Sequence, residues 1–324
     1  MTGLRRAVGP PALDLEATAE RLQRGIASAT VSLGRRGAVV AVSGGIDSSV
    51  VAALCARALG PDHTTLLRLP ERGLGEYSSD LALRLAHQLG TATHEQCISP
   101  ALDALGCYAQ QDQALRQVFS EYEPGWPYKL VRSRPTGALT VFSLVLERPN
   151  GTQESRRVPA EAYRLLLSAT NAKQRLRTLI SYTWADRLHA AVVGTPNLLE
   201  LDQGFFVKGG DGLADLKPIA GLYKQQVYAL GRYLGLPAAI TDRSPTTETF
   251  TLAQSQDEFY FGYPLEQMDL LLWGEKQGIA PRDLALGSDL TVAQVVAGYA
   301  EVARRRVATD YLHRAPVLLE DMTA

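Results

Sequence analysis

Between an apolar run, Ala38 to Val42, and an alanine-rich stretch ending near Gly60, the chain reads Ser43, Gly44, Gly45, Ile46, Asp47, Ser48, Ser49. A turn that leaves a strand and enters a helix exposes backbone N–H groups with no partner in the helix, and the helix dipole adds partial positive charge there. Such a turn is a cradle for an anion. Gly44 and Gly45 let the backbone approach phosphate oxygens, Ser43, Ser48 and Ser49 add hydroxyl donors, and Asp47 can hold a magnesium ion that offsets phosphate charge. The same string also reads as a plain glycine turn with serine and aspartate caps, and alone it leaves both readings open. Two familiar nucleotide signatures are missing, Gly-x-x-x-x-Gly-Lys-Ser/Thr and, after this strand, Gly-x-Gly-x-x-Gly, so γ-phosphoryl transfer and dinucleotide redox chemistry lose ground.

A second stretch, Val192 to Gln226, is dense in Gly, Asp and Lys in a way that neither a plain helix nor a plain strand would choose. Its interspersed apolar residues and regularly placed charges favour a site loop over a solvated surface loop.

These segments need a scaffold, and the rest of the chain supplies one. Its 324 residues, 46% hydrophobic, can bury a large core, and 33 Lys plus Arg nearly cancel 34 Asp plus Glu. No global field points to nucleic acid or an anionic membrane, so a small molecule is the expected partner. No apolar run approaches the roughly 20 residues of a membrane span, and the start from Met1 to Pro11 lacks a signal-peptide apolar region, which predicts a cytoplasmic protein. Cys55, Cys97 and Cys107 show no metal-ligand spacing and read as reduced structural thiols.

Leu15, Ala19, Leu22, Ile26, Ala29 and Leu33 recur at helical spacing and predict an amphipathic first helix. Strands are expected at Ala38 to Val42, Thr64 to Leu69, Ala92 to Ile98 and Ala190 to Val193, with helices at Ser79 to Leu89 and Asn171 to His189 between them. Alternation of this kind implies an α/β fold, a doubly wound parallel sheet covered on both faces, as one domain over residues 1–324. Residues 107–168 differ in character. There Thr140 to Arg148 and Thr152 to Val158 flank Pro149, Asn150 and Gly151, which predicts an inserted β-hairpin. C-terminal helices are expected at Leu265 to Lys276 and Thr291 to Val307.

The string SGGIDSS, in its strand-to-helix setting, resembles the PP-loop of ATP pyrophosphatases, which cleave ATP between the α and β phosphates. Together with GTPNLLE, FFVKGGDGLADLKPIAGLYK, the NAKQRLR stretch at Asn171 to Arg177, SPTTE at Ser244 to Glu248 and QDE at Gln256 to Glu258, it resembles the ammonia-dependent NAD synthetases, in the same order and over most of the chain outside the hairpin. The resemblance implies an adenine nucleotide alpha hydrolase-like fold and an enzyme that adenylates a carboxylate with ATP and amidates it with ammonia. It implies Asp47 and Glu200 as magnesium ligands, and Ser43, Gly44, Gly45, Ser48 and Ser49 around the departing pyrophosphate. Lys224 and Thr246 would contact the ATP phosphates and, with Asp47, carry the catalysis, with Thr195 and Arg175 near the nucleotide. Arg175, Lys208, Asp211 and Asp215 would bind the acid substrate. A homodimer is implied too, and ammonia would arrive free or from a separate protein.

Several positions depart from that pattern: Pro196 where the family has Gly or Asp, Gln174 in place of Ala, Thr247 and Thr249 after Pro245, and an aromatic-rich FTLAQSQDEFYFGYP. These leave open another carboxylic acid as substrate, and a non-catalytic nucleotide-binding protein stands as the alternative of another class. Phe259, Tyr260, Phe261 and Tyr263 read as core ahead of a stacking platform. Arg304, Arg305 and Arg306 match a family feature, but equally a solvated helix end.

Overall fold

The computed structural model describes residues 8–73, 76–132, 141–245 and 249–319. Thr140, Thr246, Thr247 and Glu248 lie outside them. The first half of the chain runs α1 (Leu15–Ser32), β1 (Ala38–Ala41), α2 (Ile46–Leu59), β2 (Thr64–Arg68), α3 (Glu76–Leu89), β3 (Ala92–Glu95), α4 (Ser99–Ala104) and α5 (Cys107–Val118). Then come β4 (Tyr128–Arg132), β5 (Phe142–Glu147), β6 (Gln153–Arg157), α6 (Ala160–Leu188), β7 (Ala191–Val192) and α7 (Leu198–Asp202). The remainder holds α8 (Lys224–Tyr233), α9 (Ala238–Thr241), a π turn at Asp257–Phe261, α10 (Leu265–Lys276), α11 (Pro281–Leu286) and α12 (Val292–His313).

β3, β2, β1 and β7 form a parallel sheet in that spatial order. β1, β2 and β7 are short and buried because both faces are covered, whereas the edge strand β3, Ala-Thr-His-Glu, is mostly exposed. Val40 and Leu66 pack with α1, α2, α3 and α8 on one face, while Val39, Leu67 and Val192 meet α4 and α6 on the other. Each such side chain, fully withdrawn from water, contributes about 1.5–3 kcal/mol. This is the doubly wound arrangement expected from the alternation, and its crossovers place the ends of β1 and β7 side by side.

The helices begin where the chain provides a cap. Asp14 accepts from the Ala17 N–H at 3.0 Å and starts α1, and Gly60, at φ 88°, stops α2. α6 begins at Ala160 rather than Asn171, since nothing between Pro159 and Leu188 interrupts it. The hairpin about Pro149 to Gly151 forms: Gly151 takes φ 80° and Asn150 Oδ1 accepts from the Thr152 N–H at 3.0 Å. It is part of a larger unit, however, because β4 pairs with β5 to give an antiparallel sheet in the order β4, β5, β6. Leu144 and Leu146 on the inner face of β5 bury against Phe119, Leu115 and Leu166, which is why this sheet sits on α5 and α6.

Arg305 is not at a solvated helix end. It is 7% exposed, its Nη2 donates to the carbonyls of Tyr260 and Phe261 at 2.6 and 2.8 Å, and its Nε reaches Glu301 at 2.9 Å. Arg306 pairs with Asp202 and Glu275. The π turn ends in carbonyls that no helix continues to satisfy, and α12 crosses it there. Among the described residues no helix is long and apolar enough to cross a membrane.

Candidate functional site

The Ser43 to Ser49 turn stands at the carboxyl end of β1, where open α/β sheets bind their ligands. Gly44 has φ 73°, and a Cβ there would sit 2.4 Å from the Ser78 carbonyl oxygen, so only glycine fits. Ser43 N–H donates to Ser48 Oγ at 3.2 Å, which draws the turn into a ring opening on a cavity of about 680 Å3. That volume is in the range of small-molecule sites. Ser43, Gly45, Asp47 and Ser48 line it. Ser49 does not: it is fully buried and its hydroxyl donates to the Gly45 carbonyl at 2.8 Å.

Three charged side chains from distant parts of the chain meet on the cavity floor. Lys224, first residue of α8 and 1% exposed, donates to Asp47 Oδ2, and its Nζ lies 3.7 Å from Glu200 Oε1. Burial opposes the ammonium charge, but Asp47 and Glu200 outweigh it and hold Lys224 above the ordinary lysine range. Burial, and then Asp47, push the Glu200 carboxyl upward. The two carboxylates are placed by α2 and α7. Asn197 caps α7 by accepting from the Glu200 N–H at 3.0 Å while Glu200 Oε2 accepts from the Asn197 N–H at 3.1 Å, and Asn197 Nδ2 donates to Asp47 Oδ1 at 3.0 Å. One capping box therefore orients both carboxylates. Gln256 Nε2 adds a donor to Glu200 Oε1 at 3.4 Å.

Two carboxylate oxygens converging on one cation are the donor chemistry a small hard divalent ion takes, its remaining sites filled by phosphate and water. Among the described residues no cluster of three or more acidic, histidine or cysteine side chains is arranged to hold a metal by itself.

Thr195, Arg175, Lys208 and Asp211 also line the cavity. Arg175 Nε donates to the Lys208 carbonyl at 3.2 Å, and Lys208 Nζ donates to the carbonyls of Tyr311 and Arg314 at 2.8 Å each, so that ammonium closes off the end of α12. Asp215 is elsewhere. Its Oδ2 accepts from the Val192 N–H at 2.8 Å and its Oδ1 from Tyr182, which fixes the loop to β7. Thr246 is outside the described residues, but its neighbours Ser244, Pro245 and Thr249 line the cavity. So do Gln174 and Pro196. Phe261 is core, as expected, while Phe259 and Tyr260 face the cavity.

The residue reading passed over Asn197, Arg243 and Asp269. Asn197 carried a visible signal, Asn-x-x-Glu ahead of a helix. Arg243, which lines the cavity and donates to Ser78 Oγ at 2.8 Å, carried none. Asp269 on α10 is 1% exposed, and its Oδ2 accepts the Gln225 N–H at 2.9 Å, anchoring the start of α8 and so the backbone of Lys224. Burial pushes its carboxyl from 3.8 up to about 6. The native state therefore holds this proton to higher pH than the unfolded chain, and the stability it confers at low pH is lost as pH rises toward 6. Asn cannot titrate. The melting temperature of Asp269→Asn, relative to wild type, should increase between pH 4 and 6 and stay level above; a pH-independent difference would contradict a buried carboxyl here.

Comparison with known proteins adds a family to this geometry. The model of the family described as NAD synthase matches residues 18–121 and 152–304. The NH(3)-dependent NAD(+) synthetase of Rhizobium meliloti is 44% identical over 310 residues, 95% of this chain and 93% of that protein. The NH(3)-dependent NAD(+) synthetase of Mesorhizobium japonicum is 46% identical over 310 residues, 95% of this chain and 97% of its own length. Among solved structures, an NMN synthetase from Francisella tularensis superposes with a TM-score of 0.67 at 22% identity, covering 94% of this chain and 98% of that one, a likeness of fold. By the extent of the family match and the identity to these two relatives, this chain belongs to the NAD synthase family, ligases that form carbon–nitrogen bonds.

Proposed function

We propose that the chain adenylates the nicotinate carboxylate of deamido-NAD with ATP, releasing pyrophosphate, and that ammonia then displaces AMP to yield NAD. The observation that carries this is the meeting of Asp47, Glu200 and Lys224 beneath the Ser43–Ser48 turn, at the floor of one cavity. Attack of a carboxylate oxygen on the α-phosphorus builds negative charge on its oxygens, and a fixed lysine ammonium stabilises that charge without reorganising. Donors of the Ser43–Ser48 turn take the pyrophosphate as its bond to the α-phosphorus breaks. The adenylated acid then has a good leaving group, and ammonia replaces AMP at the carbonyl carbon.

Asp47 and Glu200 are the residues that would hold magnesium, which when bound neutralises triphosphate charge. Arg175, Lys208 and Asp211, with Gln174 beside them, are the groups we assign to the acid substrate, and Thr195 and Thr246 to the nucleotide. The family's use of ATP and ammonia supports this assignment. A homodimer is the assembly that the resemblance to the family implies.

Incubation with deamido-NAD, ATP, magnesium and ammonium should give NAD, AMP and pyrophosphate in equal amounts, and Asp47→Ala should remove all three. Pyrophosphate release on a different carboxylate only would replace the substrate, and ATP binding without turnover on any acid would make this a nucleotide-binding protein.

A further inference from the structure

The family match stops at residue 121 and resumes at 152, yet the segment between reaches the cavity. Leu130 of β4 and Phe142 of β5 line it, beside Tyr163, Leu166, Phe250 and Phe259. Phe142 and Tyr163 stack with centroids 4.8 Å apart and planes 28° from parallel, and each keeps part of its surface open. Phe250 meets Phe259 edge-on at 5.4 Å. The cavity thus combines a charged floor with an apolar aromatic wall, and a ligand that fills it must offer phosphate or carboxylate to one and a ring to the other.

This wall is held rigidly. The edge of β4 away from β5 is covered by the chain after Thr249: Leu252 N–H donates to the Tyr128 carbonyl at 3.1 Å, Thr251 Oγ1 accepts from the Tyr128 N–H at 2.9 Å, and Gln254 Nε2 donates to the Leu130 carbonyl at 2.6 Å. Lys129 pairs with Glu258 at 2.7 Å. Behind β4, Arg132 reaches Glu301 at 2.5 Å and the Tyr260 carbonyl at 3.0 Å, which ties the strand to α12 and to the π turn. An aromatic surface fixed from both sides stacks on a flat ring with little loss of conformational entropy.

We propose that the three-stranded insert is a specificity element, Phe142 of β5 forming with Tyr163 of α6 a face that stacks on a planar aromatic ring carried by the acid substrate. The inference rests on the amide-forming reading above and deepens it, because it adds to the groups that hold the acid a ring, Phe142, from the segment between the two matched parts of the chain.

Phe142→Leu keeps apolar volume and removes the ring face. Its expected effect is a rise of about 2- to 12-fold in the KM for deamido-NAD, with kcat, the KM for ATP and the urea midpoint unchanged. Phe142→Tyr, which keeps the ring, should restore the wild-type KM. Equal KM values for Phe142→Leu and wild type, or a parallel rise in both substrates' KM, would overturn the proposal. Calorimetric titration of deamido-NAD without ATP reads the wall independently of turnover: the same affinity in both proteins overturns it, and weaker binding by Phe142→Leu supports it. Absence of NAD formation by wild type would instead count against the reaction, so the two failures are distinguishable.

Discussion

Lys224→Met is expected to lower kcat for pyrophosphate release by about 100- to 1,000-fold, the loss typical of one fixed donor aimed at developing charge. The side chain is unusual in being fully buried while charged, and it persists only because Asp47 and Glu200 share it. Met has similar length and no charge. Its introduction leaves two carboxylates facing each other with Asn197 and Gln256 as their remaining donors. The unfolding free energy should therefore fall as well, by about 3–5 kcal/mol, the cost of removing one partner from a buried ion pair. The two effects separate on titration with magnesium: a divalent cation can take the place of the ammonium between the carboxylates, so it should raise the melting temperature of Lys224→Met more than that of wild type. An equal magnesium response in both proteins would mean that Asp47 and Glu200 do not form the cation site. Arg is no substitute, since its planar fork is larger than the point ammonium that fits, 1% exposed, between Asp47 and Glu200.

The sequence revealed the phosphate turn more readily than its partners, and the reason is distance along the chain. Ser43 to Ser49 is local: strand, glycines and helix start are adjacent, and each feature has a period or a cap that can be read directly. Asp47 and Lys224 are 177 residues apart, and only resemblance to a family brought them together before the fold did. Asn197 was legible as a cap, but that its amide also turns toward Asp47 follows from β1 and β7 lying side by side. Arg243 and Asp269 show no pattern at all, because their roles arise from where α9 and α10 end up against α3 and α8. Asp215 is the converse case. It belongs to a motif dense in charge, and within that motif the backbone of β7 takes its carboxylate. Strand β4 is not legible in the sequence because Tyr-Lys-Leu-Val-Arg is short and two of its five residues are charged. Its Arg132 and Lys129 are not solvated, though, since Glu301 and Glu258 wait for them on elements more than a hundred residues later.

Glu301→Ala is expected to be as destabilising as any single change outside the phosphate turn, about 3–5 kcal/mol in unfolding free energy. Glu301 is 2% exposed and receives Arg132 at 2.5 Å, Arg305 at 2.9 Å and Arg304 at 2.7 Å. Its removal leaves Arg132 and Arg305, both nearly buried, as like charges beside each other, each still donating to the Tyr260 carbonyl. Burial and the Arg132 cation already depress the Arg305 guanidinium below its usual range, so the arrangement has little reserve against losing the Glu301 carboxylate. By contrast, Arg24 and Glu20 form an exposed helical pair, and Glu20→Ala should change stability by less than about 0.5 kcal/mol. Urea unfolding of both variants at unchanged slope tests the comparison, because a common slope means the same surface is exposed. Similar midpoints for the two would show that the buried cluster is not what holds β4 to α12. A large loss for Glu301→Ala should bring a second effect: the aromatic wall is anchored through Arg132, so the KM for the acid substrate should rise in the fraction that remains folded, while the KM for ATP, bound at the phosphate turn, should not.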